Sequence, residues 1–252
     1  MAKLQAVESS DPDYFRGLRL SGVGFSYIGK KRFTNQDRFY VNNTDQVFVV
    51  ADGVGGLQFG ERASDSAIKC LKATLALNPL IQMEPLLGLM HQSVRIAGMQ
   101  LTGKGSGIGT TLTCLRNLGN CCEIGHVGDS KLYWINQEGI FELSQDHSVS
   151  YRPKAAKVIS SFPQKIQSER TYLKRYLGQN GEFKPFIVNF RPAKSDFILI
   201  CSDGISGAIA TAEMKAIIEV SESRAHAIKA FIASAETRGG SDNQTAILVS
   251  CI

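Results

Sequence analysis

No apolar run among the 252 residues approaches the length of a membrane span, and residues 1–8 have no apolar signal core. A soluble, cytoplasmic protein with no membrane partner is expected. C-x-x-C spacing is missing among the six cysteines (Cys70, Cys114, Cys121, Cys122, Cys201 and Cys251), several of which fall inside apolar stretches. Buried, reduced thiols account for them. The four histidines, His91, His126, His147 and His226, show no ligand spacing with those cysteines, which argues against a zinc site. Aromatic interleaving and a nucleic-acid recognition motif are also missing. The net charge of +5 is modest, and much of it falls between Arg152 and Arg175, where Glu169 is the only acid among seven basic residues. A solvated basic surface is therefore preferred over nucleic-acid binding. The glycine-rich stretch over residues 102–109 has no following Lys-Ser/Thr, so it reads as a connector and not as a P-loop.

What remains is the composition of a folded globular chain. The hydrophobic fraction is 43% and the charged fraction 20%, which excludes a disordered polymer. The length suits one large domain, expected over residues 18–252 after a loose polar lead-in over 1–17. Residues 148–182 are the least regular part, basic and broken by Pro153 and Pro163, and read as a mobile loop or short helices.

The apolar pattern predicts a strand over 18–28 and a hairpin of strands over 38–42 and 46–51. From about Gly60 the period becomes helical, with Ala63, Ala67, Ile68, Leu71 and Leu75 on one face and Asn78-Pro79 as the stop. A second helix is predicted from near Pro85, with Met83, Met90 and Met99 as core filler. Strands over 110–116, 121–127, 131–136 and 140–143 read as an antiparallel meander. Strands over 183–190 and 196–201, helices over 211–220 and 222–235 with Thr211 and Ser221 as N-caps, and a last strand over 244–251 complete the chain. Short strand connections and segregated helices give an α+β class built on antiparallel sheets.

Chemistry is concentrated where apolar runs stop. Val47-Phe48-Val49-Val50-Ala51 ends in Asp52-Gly53-Val54-Gly55-Gly56, and Ile198-Leu199-Ile200-Cys201 ends in Ser202-Asp203-Gly204. Asp129 follows His126-Val127-Gly128, Asp242 lies in a Gly-rich loop, and Asp37 lies in the loop before the hairpin. One such Asp-Gly is an ordinary turn. Several would put carboxylates on one rim if the strands lie side by side, and hard divalent cations take oxygen ligands of that kind.

These pieces resemble the metal-dependent serine/threonine protein phosphatases of the 2C type, the PPM family, in compact bacterial form. The match runs in family order through Arg32-Phe33-Thr34-Asn35-Gln36-Asp37, Val50-Ala51-Asp52-Gly53-Val54-Gly55-Gly56, Gly60-Glu61-Arg62-Ala63-Ser64 and Gly109-Thr110-Thr111-Leu112. It continues through His126-Val127-Gly128-Asp129-Ser130-Lys131, Gln145-Asp146-His147-Ser148, Leu173-Lys174-Arg175-Tyr176-Leu177-Gly178, Ser202-Asp203-Gly204 and Ser241-Asp242-Asn243-Gln244-Thr245.

The resemblance implies a sandwich of two antiparallel sheets flanked by pairs of helices, with a binuclear Mn²⁺ or Mg²⁺ centre at one end. On that reading Asp52 bridges both metals, the Gly53 carbonyl binds one, and Asp203 and Asp242 bind the other. Asp129 helps hold a third, weaker metal. Asp37 and Gln36 support the surrounding water shell, and Arg32 grips the substrate phosphate through its planar fork. A hydroxide shared by the metals attacks phosphorus without a covalent phosphoenzyme. In keeping with that, no cysteine stands in a C-x₅-R loop. The implied partners are phosphorylated proteins, substrates of a cognate Ser/Thr kinase in bacterial signalling, and the implied state is a monomer. Residues 148–170 occupy the place of the family's flap.

Three positions depart from the pattern. Gln36 stands where Glu is usual, and an amide orients the water shell less strongly. Val54 stands where animal members have a histidine, and Lys131 replaces an arginine. His126 and His147 are read as structural, Thr110 and Thr111 as supports of a strand, and Arg175 as a buried structural arginine. An inactive phosphoprotein-binding module and a phosphatase for small phosphoesters are the alternatives, with Gln36 as the feature pointing to the first.

Overall fold

The computed structural model describes residues 17–54, 59–103, 107–151 and 170–252. Almost all of the expected lead-in, Gly55, Gly56 and most of the flap-like insert lie outside the described residues.

Two five-stranded antiparallel sheets form a sandwich. One runs, edge to edge, β1 (Leu20–Tyr27), β12 (Gln244–Cys251), β11 (Phe197–Cys201), β6 (Lys131–Ile135) and β7 (Ile140–Glu142). The other runs β10 (Phe186–Phe190), β5 (Cys122–Val127), β4 (Leu112–Asn117), β3 (Val47–Ala51) and β2 (Arg38–Asn42). The helices α1 (Gly60–Leu77) and α2 (Met83–Thr102) cover the second sheet, while α3 (Asp203–Ser206), α4 (Thr211–Val220) and α5 (Arg224–Thr237) cover the first. This is the α+β sandwich the resemblance implied.

Period-two alternation builds it, but with both faces of the central strands buried. On β3, Val47, Val49 and Ala51 pack against α1 and α2, while Phe48 and Val50 enter the core between the sheets. On β11, Ile198 and Ile200 face that same core and Leu199 and Cys201 face α3, α4 and α5. On β12, Ile247 and Val249 face inward and Ala246 and Leu248 face the helices. Each such buried aliphatic side chain contributes about 1.5–3 kcal/mol, so three apolar layers hold the strand ends in place.

Several local expectations change. The strands over 112–142 do not form one meander. β4 and β5 belong to one sheet and β6 and β7 to the other. The three residues Gly128-Asp129-Ser130 carry the chain across. Gly128 adopts φ +119°, and a Cβ there would lie 2.6 Å from the Thr111 side chain, so only glycine fits the crossing. Helix α2 begins at Met83, which leaves Pro85 in the first turn, where a missing N–H costs nothing. Met83 and Met90 are core residues, but Met99 faces outward, 54% exposed. Ala210, not Thr211, precedes α4, and Ser223, not Ser221, caps α5 by accepting from His226 N–H (3.2 Å). The irregular segment has paired ends: β8 (Ser148–Tyr151) and β9 (Arg170–Leu173) form an antiparallel ribbon. The short helix α3 was not anticipated. All six cysteines are unpaired, four of them buried and Cys70 and Cys121 half-buried. Among the described residues no helix is long and apolar enough to cross a membrane.

Candidate metal centre

Register brings the acidic strand ends to one rim. Asp37 precedes β2, whose Arg38 lies opposite Ala51 of β3, and Asp52 follows that alanine. Cys201 of β11 lies opposite both Ala246 of β12 and Lys131 of β6. That places Asp203, Asp242 and Asp129 at the same end of the sandwich. Five carboxylates separated by up to about two hundred residues of sequence become neighbours because antiparallel pairing fixes which strand ends meet.

The backbone under Asp52 is tightly held. Its carbonyl accepts from Thr111 N–H (2.8 Å) and Thr110 Oγ1 (2.9 Å), and its N–H donates to Thr111 Oγ1 (3.0 Å). Gly53 donates to the Gln36 carbonyl (3.2 Å), and a Cβ on Gly53 would lie 2.5 Å from the Gly60 backbone at the start of α1. The glycine is therefore a packing requirement. The two threonines secure the Asp52 turn and not strand β4, which begins beyond them at Leu112.

A second lattice ties the other strand ends together. Ser202, fully buried, donates from Oγ to Asp37 Oδ2 (2.8 Å) and accepts Thr245 N–H (3.0 Å). Asn243 accepts Gln36 N–H at Oδ1 (2.8 Å) and donates from Nδ2 to the carbonyls of Ile28 and Thr34 (2.8 and 3.1 Å). Asp242 accepts Asn243 N–H at Oδ1 (2.8 Å) and Arg32 Nη2 at Oδ2 (2.6 Å). A Cβ on Gly204 would sit 1.9 Å from the Asn243 carbonyl, so the loops carrying Asp203 and Asp242 touch backbone to backbone.

Charge is concentrated here. Asp37 is 2% exposed and its Oδ1 has no partner among the described residues. Loss of water pushes its carboxyl upward against hydrogen bonds from Thr245, Ser202 and Asp52, and the charge of Asp242 adds to the rise. Asp52 retains some accessible area but is ringed by protein. Desolvation, then the charges of Asp37 and Asp203, then a bond shared with Asp37 and the charge of Asp129, hold it well above the ordinary carboxylate range. Asp203 is pushed up to about 7 by desolvation and by Asp129, Asp242 and Asp37. The residue as a whole is exposed, which screens part of that effect. Asp129 is raised by burial, then by Asp146 and Asp242. For Arg32, burial works downward, but the hydrogen bond and charge of Asp242, with Asp203 and Asp52 behind it, carry the guanidinium upward.

The rim is rich in hard oxygen donors. Both nitrogens of His126 are engaged, Nδ1 with Thr113 Oγ1 (2.9 Å) and Nε2 with the carbonyls of Gln145 (3.0 Å) and Gly128 (3.2 Å). Burial and the neighbouring His147 lower its pKa to about 4, so it stays neutral and structural. Among the described residues no three acids close into a ready ligand set. Asp242 is turned to Arg32, and the other carboxylates crowd one another with unbalanced charge and an orphaned Asp37 oxygen. That donor chemistry fits hard divalent cations.

Most of the sequence-predicted residues meet at this rim: Asp37, Asp52, Gly53, Asp129, Asp203, Asp242 and Arg32. Gln36 contributes backbone groups to it, while its side-chain amide turns aside to Glu61 Oε2 (3.4 Å). Arg175 is half-exposed and not buried. Lys131 pairs with Glu142 (2.9 Å) and Asp146 (2.8 Å). Sequence reading assigned no role to Ser202, Asn243 or Glu61. The available signal was adjacency: a serine ending an apolar strand before Asp203, and an asparagine directly after Asp242.

A family model described as "Protein phosphatase 2C" matches residues 28–243. The serine/threonine phosphatase stp of Listeria innocua is 30% identical over 233 residues, covering 88% of this chain and 92% of its own length. The PPM Ser-Thr phosphatase MsPP from Mycobacterium smegmatis, solved with cacodylate, superimposes with a TM-score of 0.72 at 27% identity, covering 92% of this chain and 98% of its own. The catalytic domain of the serine/threonine protein phosphatase PstP, solved with two manganese ions, has a TM-score of 0.72 at 24% identity, covering 93% and 99%. At that identity the last likeness is one of fold.

Proposed function

The chain belongs to the protein phosphatase 2C family and is a serine/threonine protein phosphatase, and from that premise we propose that Asp52, the Gly53 carbonyl, Asp203 and Asp242 hold its divalent metals. Mn²⁺ or Mg²⁺ suits the oxygen-only donor set, and a third, weaker ion is assigned to Asp129. The observation that carries this reading is the convergence of Asp37, Asp52 and Asp203 at one rim, where burial first and the charges of neighbouring carboxylates second raise all three carboxyls.

Bound there, divalent cations supply a water of lowered pKa and compensate charge on the phosphoryl group. The protein's own residues do the rest. Asp37 Oδ1, buried and without a partner among the described residues, would accept a proton from the attacking water. Ser202 Oγ holds the other Asp37 oxygen at 2.8 Å. Arg32, half-exposed beside Asp242, offers its fork to the phosphate oxygens of phosphoserine or phosphothreonine. Val54 has no transferable proton, and a water at the site is the candidate we assign to protonate the leaving alkoxide.

The substrates are phosphorylated proteins. We assign the opposing kinase, a monomeric state and a cytoplasmic site of action as parts of the same proposal, and the six unpaired thiols favour a reducing compartment. Residues 148–170 are proposed as a flap of a single domain spanning 18–252, rooted on the β8–β9 ribbon.

Hydrolysis of p-nitrophenyl phosphate and of a phosphothreonine peptide, measured with Mn²⁺, with chelator and in Asp52→Asn, tests the site. Mn²⁺-loaded wild type is expected to exceed the variant by about 10²-fold or more, the usual loss when charge stabilisation of a transition state is removed. Equal rates would overturn it.

A further inference from the structure

The turn that carries Asp129 between the sheets is held from outside by a residue to which the mechanism gives no part. Both backbone polar groups of Gly128 are bonded to His147: Gly128 N–H donates to His147 Nδ1 (3.1 Å), and His147 N–H donates to the Gly128 carbonyl (2.9 Å). The two bonds close a ring, so rotation of Gly128 breaks both. On its other side Gly128 abuts Thr111, and Thr111 Oγ1 meets Ser130 Oγ at 2.7 Å. Asp129 is thus suspended between two anchored neighbours.

We infer that His147 is a positioning residue for the Gly128–Asp129 turn and, through it, for the weaker cation at Asp129. The ring chemistry supports this role. With Nδ1 accepting a backbone N–H, a neutral imidazole carries its proton on Nε2. That Nε2 is buried without a partner among the described residues, in a side chain only 6% exposed and stacked on His126 at 5.3 Å. An unmet buried donor is destabilising, and an apolar side chain would fill the same space without it. What an apolar side chain cannot supply is the acceptor for Gly128 N–H. The clamp acts on the backbone, and it sets where the carboxylate points without touching the ion.

The inference rests on the reading of Asp129 as a cation ligand, and the test separates the two. Mn²⁺ binding to the metal-stripped full chain is measured by titration calorimetry in wild type, Asp129→Asn, His147→Ala, His147→Gln and His147→Asn. Asp129→Asn should lose the weakest binding step. His147→Ala and His147→Gln should weaken that step by about 10–100-fold, the usual cost of losing a partner that orients a ligand, and leave the tighter steps within about twofold. His147→Asn places an amide oxygen near the position of Nδ1 and should restore the weak step to within about threefold. Should His147→Ala fail to fold, His147→Gln against His147→Asn gives the same comparison. If the weak step survives in His147→Ala while Asp129→Asn abolishes it, the inference fails and the Asp129 reading stands. If all steps weaken together, equally in the Ala and Asn variants, His147 is merely structural and the inference fails. If Asp129→Asn changes no step, the Asp129 reading falls and takes the inference with it.

Discussion

Replacing Ser202 by alanine removes one hydroxyl that serves two buried partners. Its Oγ donates to Asp37 Oδ2 at 2.8 Å and accepts Thr245 N–H at 3.0 Å, and the side chain is fully buried. The unmet Thr245 N–H costs about 1–3 kcal/mol, and the lost bond to a carboxylate about 1.5–3 kcal/mol. Because both belong to one network, about 3 kcal/mol is expected for the pair. For a chain of this size that lowers Tm by about 6–12 °C. The effect also has a pH signature. Asp37 already titrates above the ordinary range, and the Ser202 bond is one of the contacts restraining that rise. A carboxyl whose folded pKa is raised gives stability that is full below its unfolded pKa and lost as pH rises through its folded pKa. Ser202→Ala moves the Asp37 pKa further up, so the gap between variant and wild type should widen as pH increases. Thermal melts in chelator from about pH 5 to pH 8 read this directly, with Asp37→Asn and the double variant closing the cycle. A variant within about 0.5 kcal/mol of wild type, the scatter of unimportant surface changes, would refute the argument. So would a gap that narrows as pH rises.

The metal-free enzyme as a whole should lose Tm between about pH 5 and pH 8, because Asp203, pushed up to about 7, gives up its proton in that direction, and Asp52, whose carboxyl is also raised, adds a slope of the same sign. His126, held down to about 4, contributes the opposite slope below its ordinary pKa, so the comparison must be with Asp203→Asn, which shares it. Added Mn²⁺ should abolish most of the difference, and a wild-type slope no steeper than the variant's would sink the reading. Gly204→Ala forces a Cβ to within 1.9 Å of the Asn243 carbonyl. It should cost about 3 kcal/mol and remove metal-dependent activity while far-UV circular dichroism is retained. Gln36→Glu sets a carboxylate against Glu61, where the amide now donates at 3.4 Å. Metal-free stability should fall by up to about 1 kcal/mol and Mn²⁺ affinity should rise; an unchanged affinity would remove residue 36 from the metal's surroundings.

Much of the fold could be read from periodicity, because burial on alternate residues needs only local sequence. The strands ending in Asp52 and Asp203 and the two long helices fall close to their expected bounds. Failures occurred where one local pattern suits two tertiary outcomes. A short turn such as Gly128-Asp129-Ser130 reads as a hairpin connection or as a crossing between sheets, and only the packing of Gly128 on Thr111 distinguishes them. Met99 has the apolarity of a core residue, but nothing in the described structure packs over that face of α2. Caps shift by one or two residues: Ser223 and not Ser221 meets an unpaired N–H of α5, that of His226, and Ala210 precedes α4 without a side-chain cap bond.

The sequence by itself determined which oxygen donors the protein owns and that each stands where an apolar strand stops. The order of those motifs carried the resemblance to the metal-dependent phosphatases. Convergence was decided only in three dimensions. Asp37, Asp52, Asp129, Asp203 and Asp242 meet because antiparallel register brings the ends of β2, β3, β5, β11 and β12 to one rim. Tertiary structure also decided what holds them there. The hydroxyl of Ser202, the amide of Asn243 and the ring of His147 act on residues far away in the chain, and no spacing rule connects a hydrogen-bond donor to an acceptor 165 positions distant. Local pattern encodes burial, whereas polar partners at a site are chosen by the fold that burial produces.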